Sequence, residues 1–264
     1  MENFFMKIRI ILLKLKIIPS MSKHRFYIDN PLDPGNEITL ASKAHYIIHV
    51  LRLNVDENIR IFNGHGHEHT AKITKINKNN VSLLIGSSAS YEEKPSKKIR
   101  IAQCLIKKPK MDLLLQKTTE LGVNIITPVN SEFSVIKIKD DQLITKKLHW
   151  EKITQSACEQ SGRNYIPLIE DPISIGKFLC QKNDNLKIIL DPSADITIGD
   201  IKTTKKQIDI LIGPEGGISN DEKHLAYEND FIGVSLGPKI LRSETAAIAM
   251  LAIIQSHWGD MRAD

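Results

Sequence analysis

Short apolar runs, punctuated by turn-forming residues, dominate the chain between positions 21 and 92. Four stretches follow one another: HRFYID, NPLDPGNE, NIRIFNGHGHEHTAKITKI and NNVSLLIG. Apolar runs separated by Gly, Pro, Asn and Asp are typical of strands joined by turns. One short helix is predicted among them, because Ser42 can cap a run whose apolar residues recur at helical spacing as far as Leu51. We therefore predict a small β-rich domain over 21–92.

The pattern changes after residues 93–98, a polar, charged segment with a proline that we predict to be a linker. From 99 to 264, strand-like apolar runs alternate with helix-like segments, as when IRIAQCLI is followed by MDLLLQKTTELG. Such alternation predicts an α/β domain around a mostly parallel, buried sheet. Gly122 is well placed to end the first of these helices.

The composition is that of an ordinary folded protein, since 41% of the 264 residues are hydrophobic and 25% are charged. Cys104, Cys158 and Cys180 are widely spaced, which suits neither a disulfide framework nor a metal knuckle. A reducing, cytoplasmic location is therefore expected.

The opening segment, residues 1–20, is cationic and apolar, and it holds most of the net charge of +5. Its longest uninterrupted apolar run, Ile10 to Leu13, is too short for an export signal or a membrane span. A basic amphipathic helix that contacts a membrane or RNA is one interpretation. We favour the other, in which 1–20 is an extension upstream of a start at Met21.

Two glycine–proline loops near the C-terminus are the strongest candidates for a ligand site. The strand Ile208–Ile212 runs into GPEGG at 213–217, and a second strand, FIGVSL, runs into GPKILR at 237–242. Glycine lets a ligand approach the main chain, and ligands of α/β sheets bind at the carboxyl ends of strands. Neither loop has the spacing of a Walker or dinucleotide motif. The two loops could wall one cavity, although each could also be a tight turn without a ligand.

Helix signals follow both loops. Ser219 and Glu222 are spaced as a capping box after the first loop, and a long apolar helix is predicted from Thr245 to Trp258 after the second.

The pair LIGPEGGIS and LGPKILRSETAA resembles the bacterial ribosomal RNA small subunit methyltransferase E family, which methylates N3 of a uridine in 16S rRNA and belongs to the SPOUT superfamily. HRFYI, HVLRL, QKTTELGV and ACEQSGRNYIP match the same family, so the resemblance covers the chain from about Met21 onward. It implies a C-terminal SPOUT α/β domain with a deep trefoil knot, an exception to the rule that chains do not thread loops. It also implies a preceding small β-barrel, of PUA or OB type, that binds RNA. The chain departs from the family at Lys239, where arginine is common, and at Ser243, where threonine is common.

The same resemblance implies S-adenosylmethionine as cofactor, 16S rRNA of the small ribosomal subunit as substrate, and a homodimer, with no membrane or metal. It assigns to the cofactor Leu190, Gly213, Pro214, Glu215, Gly216, Gly217, Leu236, Gly237, Pro238, Ile240 and Leu241. Arg242 is our candidate to stabilise the anion that forms when N3 of uridine loses its proton. The alternative for Arg242 is an ion pair with Glu244 or Glu215. Glu244 could accept the proton or merely complement a helix dipole.

Basic residues outside the loops are candidates for RNA contact. By the resemblance, Lys23, Arg25 and Arg52 would bind the RNA backbone, whereas Arg163 and Asn164 would position the target base or a phosphate. An ordinary surface position is the alternative for each of them, and the lysines at 107, 108 and 110 are interpreted as solvated.

The run His65-Gly-His67-Glu-His69 could in principle bind zinc or copper. It lies where a hairpin turn is expected, and the family has no metal there, so we predict no metal site.

Two other functions fit the same sequence. One is a related SPOUT methyltransferase that acts on another rRNA or tRNA nucleotide. The other is a non-catalytic ribosome-assembly factor that has lost cofactor binding, against which the intact glycines of 213–217 count.

Overall fold

The computed structural model describes residues 24–138 and 140–261. These residues form two compact units: those up to Asn63 with His67–Ser90, and Gly64–Gly66 with the chain from Tyr91 onward. Lys23 and the extension 1–20 lie outside the described residues. Within the described ranges, no helix combines the length and apolarity needed to cross a membrane.

The N-terminal unit is built on one mixed sheet, which confirms the predicted β-rich character. Its strands are β1 (Arg25–Tyr27), β2 (Glu37–Leu40), β3 (Asn58–Phe62), β4 (His67–Ile76) and β5 (Val81–Tyr91). Their order is β1-β3-β4-β5-β2; β1 runs parallel to β3, while the pairs β3–β4 and β2–β5 are antiparallel. Alternate residues of β3, such as Ile59 and Ile61, are fully buried with Ile73 and Leu83.

The helix predicted after Ser42 is shorter and wider than expected. Residues Tyr46–Val50 form a turn with i→i+5 hydrogen bonds, in which the Leu51 amide donates to the Tyr46 carbonyl over 3.0 Å. Its N-cap is His45, without a side-chain capping bond, so the predicted cap at Ser42 is wrong. One turn has little intrinsic stability, and burial of Ile47 fixes its geometry instead.

The C-terminal unit is an α/β fold with parallel strand pairing, as predicted. Its strands are β6 (Lys98–Cys104), β7 (Ile125–Asn130), β8 (Leu168–Ile169), β9 (Ile173–Ser174), β10 (Leu186–Leu190), β11 (Gln207–Ile212) and β12 (Ile232–Val234). The helices are α1 (Lys108–Glu120), α2 (Asp140–Ser161), α3 (Ile175–Leu179), α4 (Asn220–Glu228) and α5 (Ser243–Trp258). The sheet order is β12-β10-β11-β6-β7-β8, with β9 also paired to β7.

Both faces of this sheet are covered. Ile99 and Ile101 of β6 belong to one buried cluster together with residues of α1 and α5. Ala102 and Cys104, on the opposite face, pack in a second cluster with Phe178 of α3. Burial raises the pKa of the Cys104 thiol to about 12, so Cys104 is a neutral core residue. A sheet buried on both faces explains why β6 and β11 read as continuous apolar runs.

Two sequence signals for helix ends are confirmed. Gly122 follows α1 with φ of +93°, a conformation that favours glycine, and its amide bonds the Thr119 carbonyl over 3.1 Å. Ser219 and Glu222 form the predicted capping box of α4.

The strand order brings the two glycine–proline loops together. β10 pairs in parallel with both β11 and β12, so these three strands end at the same edge of the sheet. The loops that follow β11 and β12 therefore leave the sheet on either side of the end of β10.

Candidate active site

A cavity of about 600 Å³ opens at this edge, at the carboxyl ends of β10, β11 and β12. A volume of this size suits a small-molecule ligand. Of the residues that the sequence assigned to a cofactor, these line it: Leu190, Gly213, Pro214, Glu215, Gly217, Leu236, Gly237, Ile240 and Leu241. Within the described residues, Gly216 and Pro238 belong to the same loops but are not part of the lining.

A buried serine joins the two loops. The Ser243 hydroxyl donates to the Gly213 carbonyl over 2.6 Å and accepts from Nε2 of Gln103 over 2.9 Å. Gln103 is fully buried on β6, and its Nε2 also donates to the Cys104 carbonyl. Through Ser243 and Gln103, both loops are held against β6. Sequence reasoning missed Gln103, although a lone amide inside the apolar run IRIAQCLI was a signal.

The first loop has room for little besides glycine at 213. A Cβ there would lie 2.9 Å from Cγ1 of Ile218 and 3.3 Å from the carbonyl carbon of Gly217. Gly217 itself has φ of +78°, and Gly237 in the second loop has φ of +99°. These bends leave main-chain groups accessible at the cavity wall.

Glu215 links the first loop to the start of α1. Its carboxylate accepts from Nζ of Lys110 over 2.9 Å. Partial burial acts to raise the pKa of Glu215, but the Lys110 bond and the amides of Glu215 and Lys107 outweigh it and lower the pKa. Lys110 is thus a loop contact that also lines the cavity, which corrects its interpretation as a solvated lysine.

Asp191 directly follows β10 and is the centre of a polar cluster in the cavity wall. It accepts from Nζ of Lys223 (2.9 Å), from the hydroxyl of Tyr227 (2.8 Å) and from Ser193 (2.7 Å). Burial acts to raise the pKa of Asp191, but these donors hold it well below the usual range. Burial and the bond to Asp191 raise the pKa of Tyr227 to about 12. Asp191 and Lys223 line the cavity and were not among the predicted site residues.

The two predicted catalytic residues are placed differently. Arg242 is exposed, lines the cavity, and within the described residues makes no ion pair with Glu244 or Glu215. Glu244 lies in the first turn of α5, is only 6% exposed and is not part of the cavity lining. Its placement favours a contribution to the helix dipole over a role as proton acceptor.

The predicted RNA contacts in the N-terminal unit also differ from each other. Arg25 is mostly buried: its Nε bonds Glu68 over 2.5 Å, and its guanidinium lies 3.8 Å from the centre of the Phe62 ring. Its charge is engaged inside the unit, and its contact with the RNA backbone stays a prediction. Arg52 is exposed, with φ of +55°.

The SGRN segment has internal contacts. Arg163 donates to the carbonyls of Thr119 (2.7 Å) and Val123 (2.9 Å) and so binds the C-terminal end of α1. Asn164 is 3% exposed, and its Nδ2 donates to the Gly66 carbonyl over 3.2 Å. The amide of Asn164 is thus used within the protein, and its contact with RNA stays a prediction.

The histidine run makes ordinary polar contacts. Nδ1 of His67 lies 3.4 Å from the Ser88 hydroxyl, and Nδ1 of His69 lies 3.3 Å from the Gly86 carbonyl. In the part of the chain that the structure describes, no three His, Cys, Asp or Glu residues are grouped to hold a metal.

Both units of the chain are similar to known proteins. A family model described as the RNA methyltransferase domain matches residues 92–255, and one described as the RNA methyltransferase PUA domain matches 41–86. The ribosomal RNA small subunit methyltransferase E of Buchnera aphidicola from Schizaphis graminum is 36% identical over 90% of this chain and 97% of its own. The chain belongs to the ribosomal RNA small subunit methyltransferase E family. The similarity to this family extends over both units.

Two solved structures share the architecture. A Legionella pneumophila methyltransferase in complex with the cofactor SAM has 35% identity and a TM-score of 0.86, covering 89% of this chain and 98% of its own. The small subunit methyltransferase E of Neisseria gonorrhoeae, bound to S-adenosylmethionine, has 34% identity and a TM-score of 0.84, covering 90% and 99%.

Proposed function

We propose that this protein transfers the methyl group of S-adenosylmethionine to N3 of a specific uridine in the 16S rRNA of the small ribosomal subunit. The observation that carries the proposal is that both glycine–proline loops line the same cavity, in a chain whose family members are named for this class of substrate. Two solved relatives at 34–35% identity are bound to the same cofactor.

The residues of the cavity fit S-adenosylmethionine. Apolar side chains, among them Leu190, Leu236 and Leu241, suit the faces of an adenine ring, and the main-chain groups of the glycine bends suit its polar edge. Glu215, Lys110 and Asp191 supply charged groups for the ends of a zwitterionic amino acid. When bound, the cofactor supplies an electrophilic methyl group on a sulfonium.

The side chains of the protein must make N3 of uracil nucleophilic. N3 carries a proton that must pass to water or to another base before the N–CH₃ bond forms, and the negative charge then spreads to the neighbouring carbonyl oxygens. We propose that Arg242, an exposed cation that lines the cavity, stabilises this charge.

We further propose that the C-terminal unit is a SPOUT domain with a deep trefoil knot. After β12 the chain bonds the β10–β11 connection, since the Ser235 amide donates to the Ile196 carbonyl over 2.8 Å. It then returns to β6 and the first loop through Ser243. The chain after β12 thus contacts the β10–β11 connection and then crosses the end of β10 to reach β6 and the first loop. This path supports a knot in which the C-terminal segment passes through an earlier loop.

The N-terminal unit is proposed to be a β-barrel of PUA type that binds the rRNA, with exposed Arg52 as a contact. The protein is also proposed to act as a cytoplasmic homodimer. The apolar helix α5 would contribute to the interface of such a dimer.

The direct test is mass mapping of 16S rRNA from cells that lack this protein, before and after incubation of their small subunits with the protein and isotopically labelled S-adenosylmethionine. We expect one labelled methyl group, on N3 of one uridine. A label on another nucleotide, or on tRNA instead, would favour a related SPOUT activity. If methyluridines were unchanged in the deletion cells and no label entered, the assembly-factor function would replace the enzyme.

A further inference from the structure

An exposed aromatic ring stands beside the first cavity loop. Phe133 follows β7 in the C-terminal unit and is 44% exposed. A single exposed apolar side chain is common on a protein surface, so exposure alone gives Phe133 no role. The surroundings of the ring indicate a contact.

The turn that carries Phe133 is fixed by hydrogen bonds. Ser131 and Ser134, which flank it in a tight turn, are 7% and 6% exposed, and their hydroxyls bond each other over 2.8 Å. The Ser131 amide donates to the Ser134 hydroxyl, and the Ser134 amide donates to the Ser131 carbonyl, each over 3.2 Å. Two buried polar residues therefore fix the backbone on both sides of the ring.

The same turn is fastened to the helix that follows the cavity loop. The Glu132 amide donates to one carboxylate oxygen of Glu222 over 2.7 Å, while the other oxygen caps α4 by accepting from the Ser219 amide over 3.1 Å. One carboxylate thus positions both the start of α4 and the turn that carries Phe133.

Phe133 also packs on the loop itself. A Cβ added to Gly216 would lie 3.0 Å from the Cβ of Phe133 and 3.7 Å from its ring atom Cγ. Glycine at 216 is what allows this approach. Gly216 is not part of the cavity lining, whereas its neighbours Glu215 and Gly217 are, so the ring is next to the cavity wall and not inside it.

The charges around the cavity suit a polyanion. Lys239 and Arg242 of the second loop are both exposed and both line the cavity. Cations that bind phosphates, combined with an aromatic ring on which bases stack, are the usual elements of single-stranded RNA recognition.

We propose that Phe133 is a stacking platform for an unpaired base of the RNA substrate, one that lies next to the nucleotide entering the cavity or is that nucleotide itself. This rests on the proposed function. Phe133 is a positioning residue: it would hold the RNA strand and take no part in methyl transfer.

The test compares Phe133→Leu, which keeps an apolar side chain but removes the ring, with Phe133→Trp, which keeps a stacking surface. Ile144→Ala is the matched control, since Ile144 is a 72% exposed apolar residue on α2. For each full-length variant we would measure the Kd for a short labelled oligouridine, the Kd for S-adenosylmethionine, and KM and kcat on small-subunit rRNA.

Loss of one stacked base should weaken RNA binding and raise KM by about tenfold in Phe133→Leu, with kcat and the cofactor Kd unchanged. Phe133→Trp should bind RNA at least as tightly as the wild type, and Ile144→Ala should match the wild type. A 5-iodouridine in the oligonucleotide should photo-crosslink to the peptide that contains Phe133.

Wild-type RNA affinity in Phe133→Leu, or a weakened Phe133→Trp, would overturn the proposal. If Phe133→Leu proved unstable, the tryptophan variant and the crosslink would still decide. A wild type that binds neither cofactor nor RNA would instead refute the proposed function, so the two failures can be told apart.

Discussion

Ser243→Ala tests whether one hydroxyl holds the two cavity loops together. The substitution removes the bond to the Gly213 carbonyl and the bond from Gln103, at a site where Ser243 is 7% exposed and Gln103 is fully buried. Each bond contributes about 1 kcal/mol, and a buried carbonyl without a donor adds its desolvation cost, so we expect a loss of about 2 kcal/mol in the free energy of unfolding.

The assay is urea unfolding, with a thermal scan beside it. A loss of about 2 kcal/mol corresponds to a fall of roughly 4 to 8 °C in Tm for a chain of this size. The affinity for S-adenosylmethionine should fall too, because Gly213 lines the cavity that the two loops form.

Two variants serve as controls. Ser243→Thr keeps the hydroxyl and should retain most of the stability, whereas Thr245→Ala removes an exposed hydroxyl two residues along α5 and should change the unfolding free energy by less than about 0.5 kcal/mol. If Ser243→Ala were as stable as Thr245→Ala and bound the cofactor normally, the role of Ser243 in joining the loops would be refuted.

The remaining predictions concern other parts of the C-terminal unit. Arg242→Ala should lower kcat by about 100-fold with little change in the cofactor Kd, whereas Lys239→Ala should lower kcat by less. Single-turnover methylation measures both variants, and equally small losses of rate would exclude Arg242 from the mechanism. Asp191→Asn should cost about 2 kcal/mol at pH 7, because Lys223 and Tyr227 lose a buried carboxylate partner. The pKa of Asp191 is lower in the folded than in the unfolded state, so this stability is present above the unfolded pKa of about 3.9 and is lost as pH falls below it. In urea unfolding at pH 3, the difference in unfolding free energy between wild type and variant should therefore be smaller than at pH 7. A constant difference would contradict the role of the Asp191 carboxylate. Gly122→Ala should lower the free energy of unfolding more than Gly162→Ala. Both glycines have positive φ, so each substitution costs about 1 kcal/mol for backbone conformation, but only at Gly122 would the new Cβ collide with the side-chain amide of Gln255. Equal losses of unfolding free energy by calorimetry would show that the Gln255 side chain moves away.

Local signals in the sequence were enough to predict the elements that frame the site. The apolar run of β11, the glycines after it and the capping box at Ser219 each depend on neighbouring residues, so their spacing could be interpreted directly. The helix at Tyr46–Val50 was predicted less accurately, because a single turn takes its geometry from the packing of Ile47 and not from its own residues.

Contacts between distant segments could not be predicted in this way. Gln103 and Ser243 are 140 positions apart, and Asp191 meets Lys223 across 32 positions, so no local spacing connects them. Asn164 is a further example. Its place in a polar bend suggests a surface position, yet it is buried and its amide bonds the Gly66 carbonyl, 98 positions away.

A crystal structure of this protein grown with S-adenosylmethionine would show whether the two glycine–proline loops bind the cofactor. We expect electron density for the cofactor in the cavity at the ends of β10, β11 and β12. The adenine should lie against the main chain of 213–217 and 236–241, and the methyl group should face Arg242. Density at another place on the protein, or an empty cavity together with no binding heat at millimolar cofactor, would contradict this prediction.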